Sequence, residues 1–116
     1  MNKLFVYGTL RPSKTATHVL IKHAMYNYFN RFPYIVPIEG HGRVVGELIE
    51  VSDDDLVALD HYEGVERGLY TRETVKVLEM GDPKKAQNWK TEQAFVYVAT
   101  NQLHPSTIKS GDWFSR

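Results

Sequence analysis

The chain has 116 residues, enough for one domain over residues 1–116 with one buried core, and it is 42% hydrophobic, 24% charged and free of cysteine. That composition argues against a disordered chain, and the missing cysteine rules out disulfides, a thiol nucleophile and thiolate metal sites. Fourteen basic residues balance fourteen acidic ones and the densest basic spot is the pair Lys84-Lys85, so no field draws a polyanion and nucleic-acid binding is set aside.

The chain opens on Met1-Asn2-Lys3 before Leu4-Phe5-Val6-Tyr7. This apolar run is too short for a signal peptide, and no stretch reaches the ~20 apolar residues of a membrane span. A soluble, cytoplasmic protein without membrane contact is therefore expected. Residues Lys3 to Tyr7 read as a buried strand that runs into a loop at Gly8-Thr9. Ser13 after Pro12 reads as an N-cap, with a helix over about Lys14 to Met25 on the spacing of Ala16, Val19, Leu20, His23 and Ala24.

The aromatics of Tyr26 to Phe32 suggest a strand, and Pro33 and Pro37 bracket an extended piece, Tyr34 to Val36, that suits an edge or a loop. Gly40-His41-Gly42 is a turn, and Val44 to Val51 is the next strand. Ser52-Asp53-Asp54-Asp55 is a helix start with the elements of a capping box, and Gly64 ends that helix after Glu63. Tyr70 to Met80 and Ala94 to Ala99 read as strands joined by a polar hairpin loop, Gly81 to Glu92. The tail after Pro105 is irregular, with aromatics that should dock. Together these elements predict an α+β domain with two main helices and one sheet, antiparallel or mixed, that curls into a small barrel.

Three features bear on chemistry. On the second helix Leu56, Leu59, Asp60 and Glu63 share one face. If the leucines point inward, Glu63 faces the core or a cleft, at the helix end whose negative dipole disfavours a carboxylate. Both effects raise its pKa and suit it to move a proton near neutral pH. The competing readings are a solvated helix-end residue, or Asp60 as the active carboxylate. The loop Tyr7-Gly8-Thr9-Leu10-Arg11 has a glycine that admits a ligand to the backbone, whose N–H groups can hold an oxyanion; a plain strand-ending turn is the alternative. Tyr70 and Arg72 share one strand face and can offer polar groups to one site, although such residues are also ordinary on an exposed strand. The histidines His18, His23, His41, His61 and His104 form no ligand motif, so neither a metal nor a cofactor is expected.

Taken in order, Tyr7-Gly8-Thr9-Leu10, Gly46-Glu47-Leu48, Leu59-Asp60-His61-Tyr62-Glu63-Gly64-Val65 and Tyr70-Thr71-Arg72 resemble the γ-glutamylcyclotransferase-like family, in particular its compact, γ-glutamylamine cyclotransferase-like members. The similarity extends from about Lys3 to Thr100, and Ser110-Gly111-Asp112-Trp113 is similar to a family ending. The resemblance implies a compact β-barrel flanked by helices. It also implies release of a small-molecule substrate's γ-glutamyl group as 5-oxoproline, by attack of the substrate's own α-amine. Glu63 matches the glutamate that would act as general acid and base, and Tyr7, Gly8, Thr9 and Leu10 match the substrate-holding loop. Tyr70, Arg72 and Trp113 are the further candidate substrate contacts, with Tyr97 as another possible wall. Two other readings stand beside this one. One is a non-catalytic relative that binds an amino-acid-like ligand in the same pocket. The other is an interaction module using the aromatics of Tyr26 to Tyr34. The leaving amine and the oligomeric state are left open.

Overall fold

In the computed structural model, which describes residues 1–100 and 106–116, seven strands form: β1 (Asn2–Val6), β2 (His18–Ile21), β3 (His23–Tyr28), β4 (Phe32–Pro37), β5 (Arg43–Val51), β6 (Tyr70–Glu79) and β7 (Thr91–Ala99). One α-helix, α1 (Asp53–Glu63), follows β5 among the described residues. Five strands close a barrel in the order β1-β5-β2-β6-β7, and β3 and β4 form a separate two-stranded sheet. Strand β1 runs antiparallel to β5 but parallel to β7, where Leu4 faces Phe95, so the barrel is mixed as expected. The longest ladder joins β6 to β7, from Tyr70 opposite Ala99 to Leu78 opposite Thr91. Between them, residues Pro83–Asn88 form 3₁₀ turns within the predicted hairpin loop.

Alternation along the strands divides most of the apolar side chains between two cores, with a smaller cluster of Tyr34, Val36 and Ala99 beside them. Phe5, Val44, Val77, Ala94, Val96 and Val98 fill one core with Leu20, Met25, Ile35, Ile108 and Trp113. The neighbours of Phe5, Leu4 and Val6, point the other way and pack with Val51, Tyr97 and the helix residue Leu56. Thus α1 covers the side of the barrel from which Tyr97 emerges. The helix begins as its sequence dictates. The Ser52 hydroxyl accepts from the Asp55 N–H, and the Asp55 carboxylate accepts from the Ser52 N–H, each at 3.0 Å.

The helix predicted over residues 14–25 does not form. Strands β2 and β3 occupy that stretch, with Lys22 at φ 60° turning the chain between them. Val19 and Leu20, adjacent in sequence, are both buried, and β2 is hydrogen-bonded on both edges, to β5 and to β6. The β-branched residues Thr15, Thr17, Val19 and Ile21 suit an extended chain, and ladder pairing on two sides outweighs the helical spacing of a few apolar positions. The strand predicted from Tyr26 to Phe32 is likewise interrupted. Phe29 and Asn30 take positive φ (51° and 62°), and the Arg31 N–H donates to the Tyr28 carbonyl at 2.9 Å, closing a tight hairpin between β3 and β4. The tail does dock: the Gly111 carbonyl accepts from the Val45 N–H at 2.8 Å, and Trp113 is buried. His104 and Pro105, which entered the sequence reading, lie outside the described residues. No helix among the described residues is long and apolar enough to cross a membrane.

Candidate active site

A cavity of about 480 Å³ opens where the end of β1, the end of α1, the start of β6 and the tip of the β3–β4 hairpin meet. Tyr7, Gly8, Thr9 and Leu10 line it from the loop after β1, Tyr62 and Glu63 from the helix, and Leu69 and Tyr70 from the start of β6. Tyr97 contributes from β7, and Arg31, Phe32 and Pro33 from the hairpin.

The loop is shaped by one short turn and one buried charge network. The Arg11 N–H donates to the Gly8 carbonyl at 3.1 Å, which leaves Thr9 and Leu10 at the apex. The N–H groups of these two residues have no hydrogen-bond partner among the described residues and are available as donors. A side chain at position 8 would bring its Cβ to 2.9 Å from Pro33 Cγ, so glycine allows the hairpin to seat directly on the loop. The Arg11 side chain is wholly buried. Its Nε donates to Glu47 at 2.9 Å, and its other guanidinium nitrogens donate to Asp112 at 2.7 Å and to the Lys14 carbonyl at 3.1 Å. Glu47 also accepts from the Ser13 backbone and hydroxyl. The loop is thereby tied to β5 and to the tail through charge-assisted bonds.

Glu63 is the last residue of α1. Gly64 follows in the left-handed region at φ 71°, its N–H donating to the carbonyls of Asp60 and His61. A Cβ there would meet Leu69 at 2.8 Å, so glycine is what lets the chain fold Leu69 back toward the helix end. The Glu63 carboxylate is half-buried and has neither a hydrogen-bond partner nor an ion pair among the described residues. Burial raises its pKa above the ordinary carboxylate value. The hydroxyl of Tyr70 has no partner among the described residues, whereas that of Tyr7 donates to the Tyr97 carbonyl at 2.8 Å. Burial raises the pKa of both phenols, and the negative charge of Glu63 adds to it. Both hydroxyls therefore stay protonated and act as neutral donors.

Asp60, the rival carboxylate, does not line the cavity. It accepts from the Tyr97 hydroxyl at 2.7 Å and pairs with Arg72 at 3.5 Å, which fastens the helix end to the barrel. This assigns Arg72 another place than the one expected. Its guanidinium lies over the Phe95 ring at 4.8 Å and, like Trp113, it is outside the cavity lining. Trp113 packs in the core with Arg116 over its ring at 3.7 Å. Sequence reasoning did not find Arg31, Phe32, Pro33, Tyr62 or Leu69, nor the roles of Arg11, Glu47 and Asp112. A signal existed for the last three, since each is a charged residue inside or beside a short motif with no chemical duty of its own. Away from the cavity, His18, Glu79 and Glu92 place potential ligand atoms within 4.8 Å of one another. Glu92 already hydrogen-bonds His18, at 3.0 Å, and pairs with Lys3.

Residues 4–115 match the family described as Gamma-glutamyl cyclotransferase, AIG2-like. The chain belongs to that family. A candidate gamma-glutamylcyclotransferase of Vibrio cholerae is 31% identical to this cyclotransferase-family chain, over 97% of it and 96% of the relative. AIG2-like protein C of Arabidopsis thaliana is 35% identical over 95% of the chain, which spans only 64% of that longer protein. An uncharacterized protein of Pyrococcus horikoshii has the same fold, with a TM-score of 0.65 at 23% identity over 99% of this chain and 92% of that one. An AIG2-like protein of Mus musculus is also similar, with a TM-score of 0.58 at 23% identity, covering 90% and 80% of the two chains. The barrel described above is thus the family fold.

Proposed function

We propose that this protein is an enzyme that releases 5-oxoproline from a γ-glutamyl-amine or γ-glutamyl-amino acid, with Glu63 as its general acid and base. The observation that carries this reading is the half-buried Glu63 carboxylate, without a hydrogen-bond or ion-pair partner among the described residues, in one cavity with Thr9 and Leu10, whose N–H groups likewise have no partner among those residues. A carboxylate with a raised pKa inside a cleft is suited to proton transfer near neutral pH.

The reaction runs as follows. Glu63 takes one proton from the substrate's α-ammonium, and the neutral amine attacks the γ-carbonyl carbon. Nucleophile and electrophile belong to one molecule, so ring closure to five members asks the protein mainly for orientation. The carbonyl oxygen becomes an oxyanion, which the N–H groups of Thr9 and Leu10 stabilise, with the Tyr70 hydroxyl as a further donor. Glu63 returns its proton to the leaving nitrogen as the carbon–nitrogen bond breaks. The ring nitrogen sheds its second proton on becoming an amide, and the departing amine takes one up in water. No redox step is involved, and every proton is accounted for.

The test is 5-oxoproline release from a panel of γ-glutamyl compounds by the native protein and by Glu63→Gln. Loss of about 10²-fold or more in the variant is expected, the usual weight of a positioned acid–base group. Activity within a few-fold of native in Glu63→Gln refutes the role of Glu63. Saturable binding across the panel without turnover by the native protein assigns the cavity to ligand binding instead.

A further inference from the structure

The cavity's outer half carries a charge and an apolar surface that the proton-transfer chemistry does not use. Among the described residues lining it, Glu63 is the only anion and Arg31 the only cation. Arg31 has no carboxylate partner among the described residues, unlike Arg11 and Arg72, which are held in ion pairs. It stands at the mouth for a structural reason. Phe29 and Asn30 turn the hairpin tip, Arg31 closes that turn, and Pro33 rests on Gly8. Arg31 is two steps along the chain from Pro33, with Phe32 between them, so it lies at most roughly 7 Å from where the hairpin meets the loop. Around it the mouth is apolar: Leu10, Phe32, Tyr62 and Leu69 all line the cavity yet remain 40–78% exposed.

We propose that Arg31 and this apolar rim select the leaving half of the substrate: a γ-glutamyl α-amino acid with a free carboxylate and an apolar side chain, rather than a γ-glutamyl amine without the carboxylate. The inference rests on the reaction proposed above. With the glutamyl half held between the Tyr7–Leu10 loop and Glu63, the amide continues outward to the mouth. A carboxylate on the leaving amino acid there meets a guanidinium able to hold it through two N–H donors. An aliphatic or aromatic side chain beside it removes apolar surface of both partners from water. In this arrangement the glutamyl ammonium faces Glu63 and the outer carboxylate faces Arg31.

A matched pair of substrates separates this from the reaction itself. γ-Glutamyl-phenylalanine and γ-glutamyl-phenethylamine differ only in the outer carboxylate. The native protein should favour the first by about tenfold or more in kcat/KM, mostly through KM, as a charge-assisted contact requires. In Arg31→Met the ratio should fall to near one, and Arg31→Lys should restore part of it; thermal unfolding of each variant checks that the hairpin still folds. An equal ratio in native and Arg31→Met overturns the proposal. So does an equal loss on both substrates, which would put Arg31 on the glutamyl half. If the native protein releases no 5-oxoproline from either compound, the reaction fails, and titration calorimetry with the same pair then decides on Arg31: equal affinities overturn it, and a preference abolished in Arg31→Met upholds it.

Discussion

Replacing Glu47 by alanine tests whether the buried charge network, rather than apolar packing, holds the substrate loop. The side chain of Arg11 is fully buried and that of Glu47 is only 8% exposed, so the variant deprives a buried guanidinium of one of its two carboxylate partners. Removing one member of such a pair costs about 3–5 kcal/mol. Asp112 and the Lys14 carbonyl keep their bonds to Arg11, which places the expected loss near the lower end, about 3 kcal/mol. For a chain of this length the unfolding entropy is about 0.24 kcal/mol/K, so Tm should fall by about 12 °C. Differential scanning calorimetry reads that shift directly. Arg11→Met, Glu47→Met and Asp112→Asn together remove all three charges of the network, and this triple variant should recover part of the loss. A Tm change below about 4 °C in Glu47→Ala refutes the reasoning, as does a triple variant no more stable than the single one.

Gly46→Ala should destabilise by about 3 kcal/mol or more, because its Cβ would lie 2.2 Å from the Val6 carbonyl oxygen and 2.9 Å from the Phe5 ring; urea unfolding measures this. Tyr97→Phe removes the 2.7 Å bond to Asp60 and should cost about 1.5–3 kcal/mol by the same assay, with turnover falling as the helix end that carries Glu63 loosens. Glu63→Gln has a pH signature. Burial raises the native pKa of Glu63, so the folded state binds more protons than the unfolded one between the ordinary carboxylate range and that raised value. Native stability therefore falls as pH rises through this window, and the glutamine variant escapes the loss. Paired Tm measurements should show the variant gaining on the native protein toward neutral pH, with the gap closing below about pH 4.

The elements that the sequence predicts well are those whose signals are local. Ser52, the three aspartates after it and Gly64 bracket α1 by capping chemistry alone, and the helix is bounded where they place it. The alternation in β6 and β7 also suffices, since each strand's main partner is the other one, across a single connection. Residues 14–25 mislead because the interactions that make them strands lie far away. The Val45 and Leu78 that flank Val19 are 26 and 59 positions distant, and periodicity within a window contains neither.

A second misreading has a functional consequence. Reading Tyr26 to Phe32 as one strand hides the turn at Phe29-Asn30, and with it the fact that Arg31 begins a return toward Gly8. The motif residues Tyr7 to Leu10, Glu63 and Tyr70 lie in or beside elements with strong local signals, and they converge on one cavity. Arg72 and Trp113 carried the right chemistry for a ligand but have other partners, Asp60 and the barrel core. The legible half of the cavity is thus the half that would hold the glutamyl group and move its proton. The half that would choose the leaving amine hangs on a hairpin whose turn, Phe29-Asn30, holds positive φ without a glycine to mark it in the sequence.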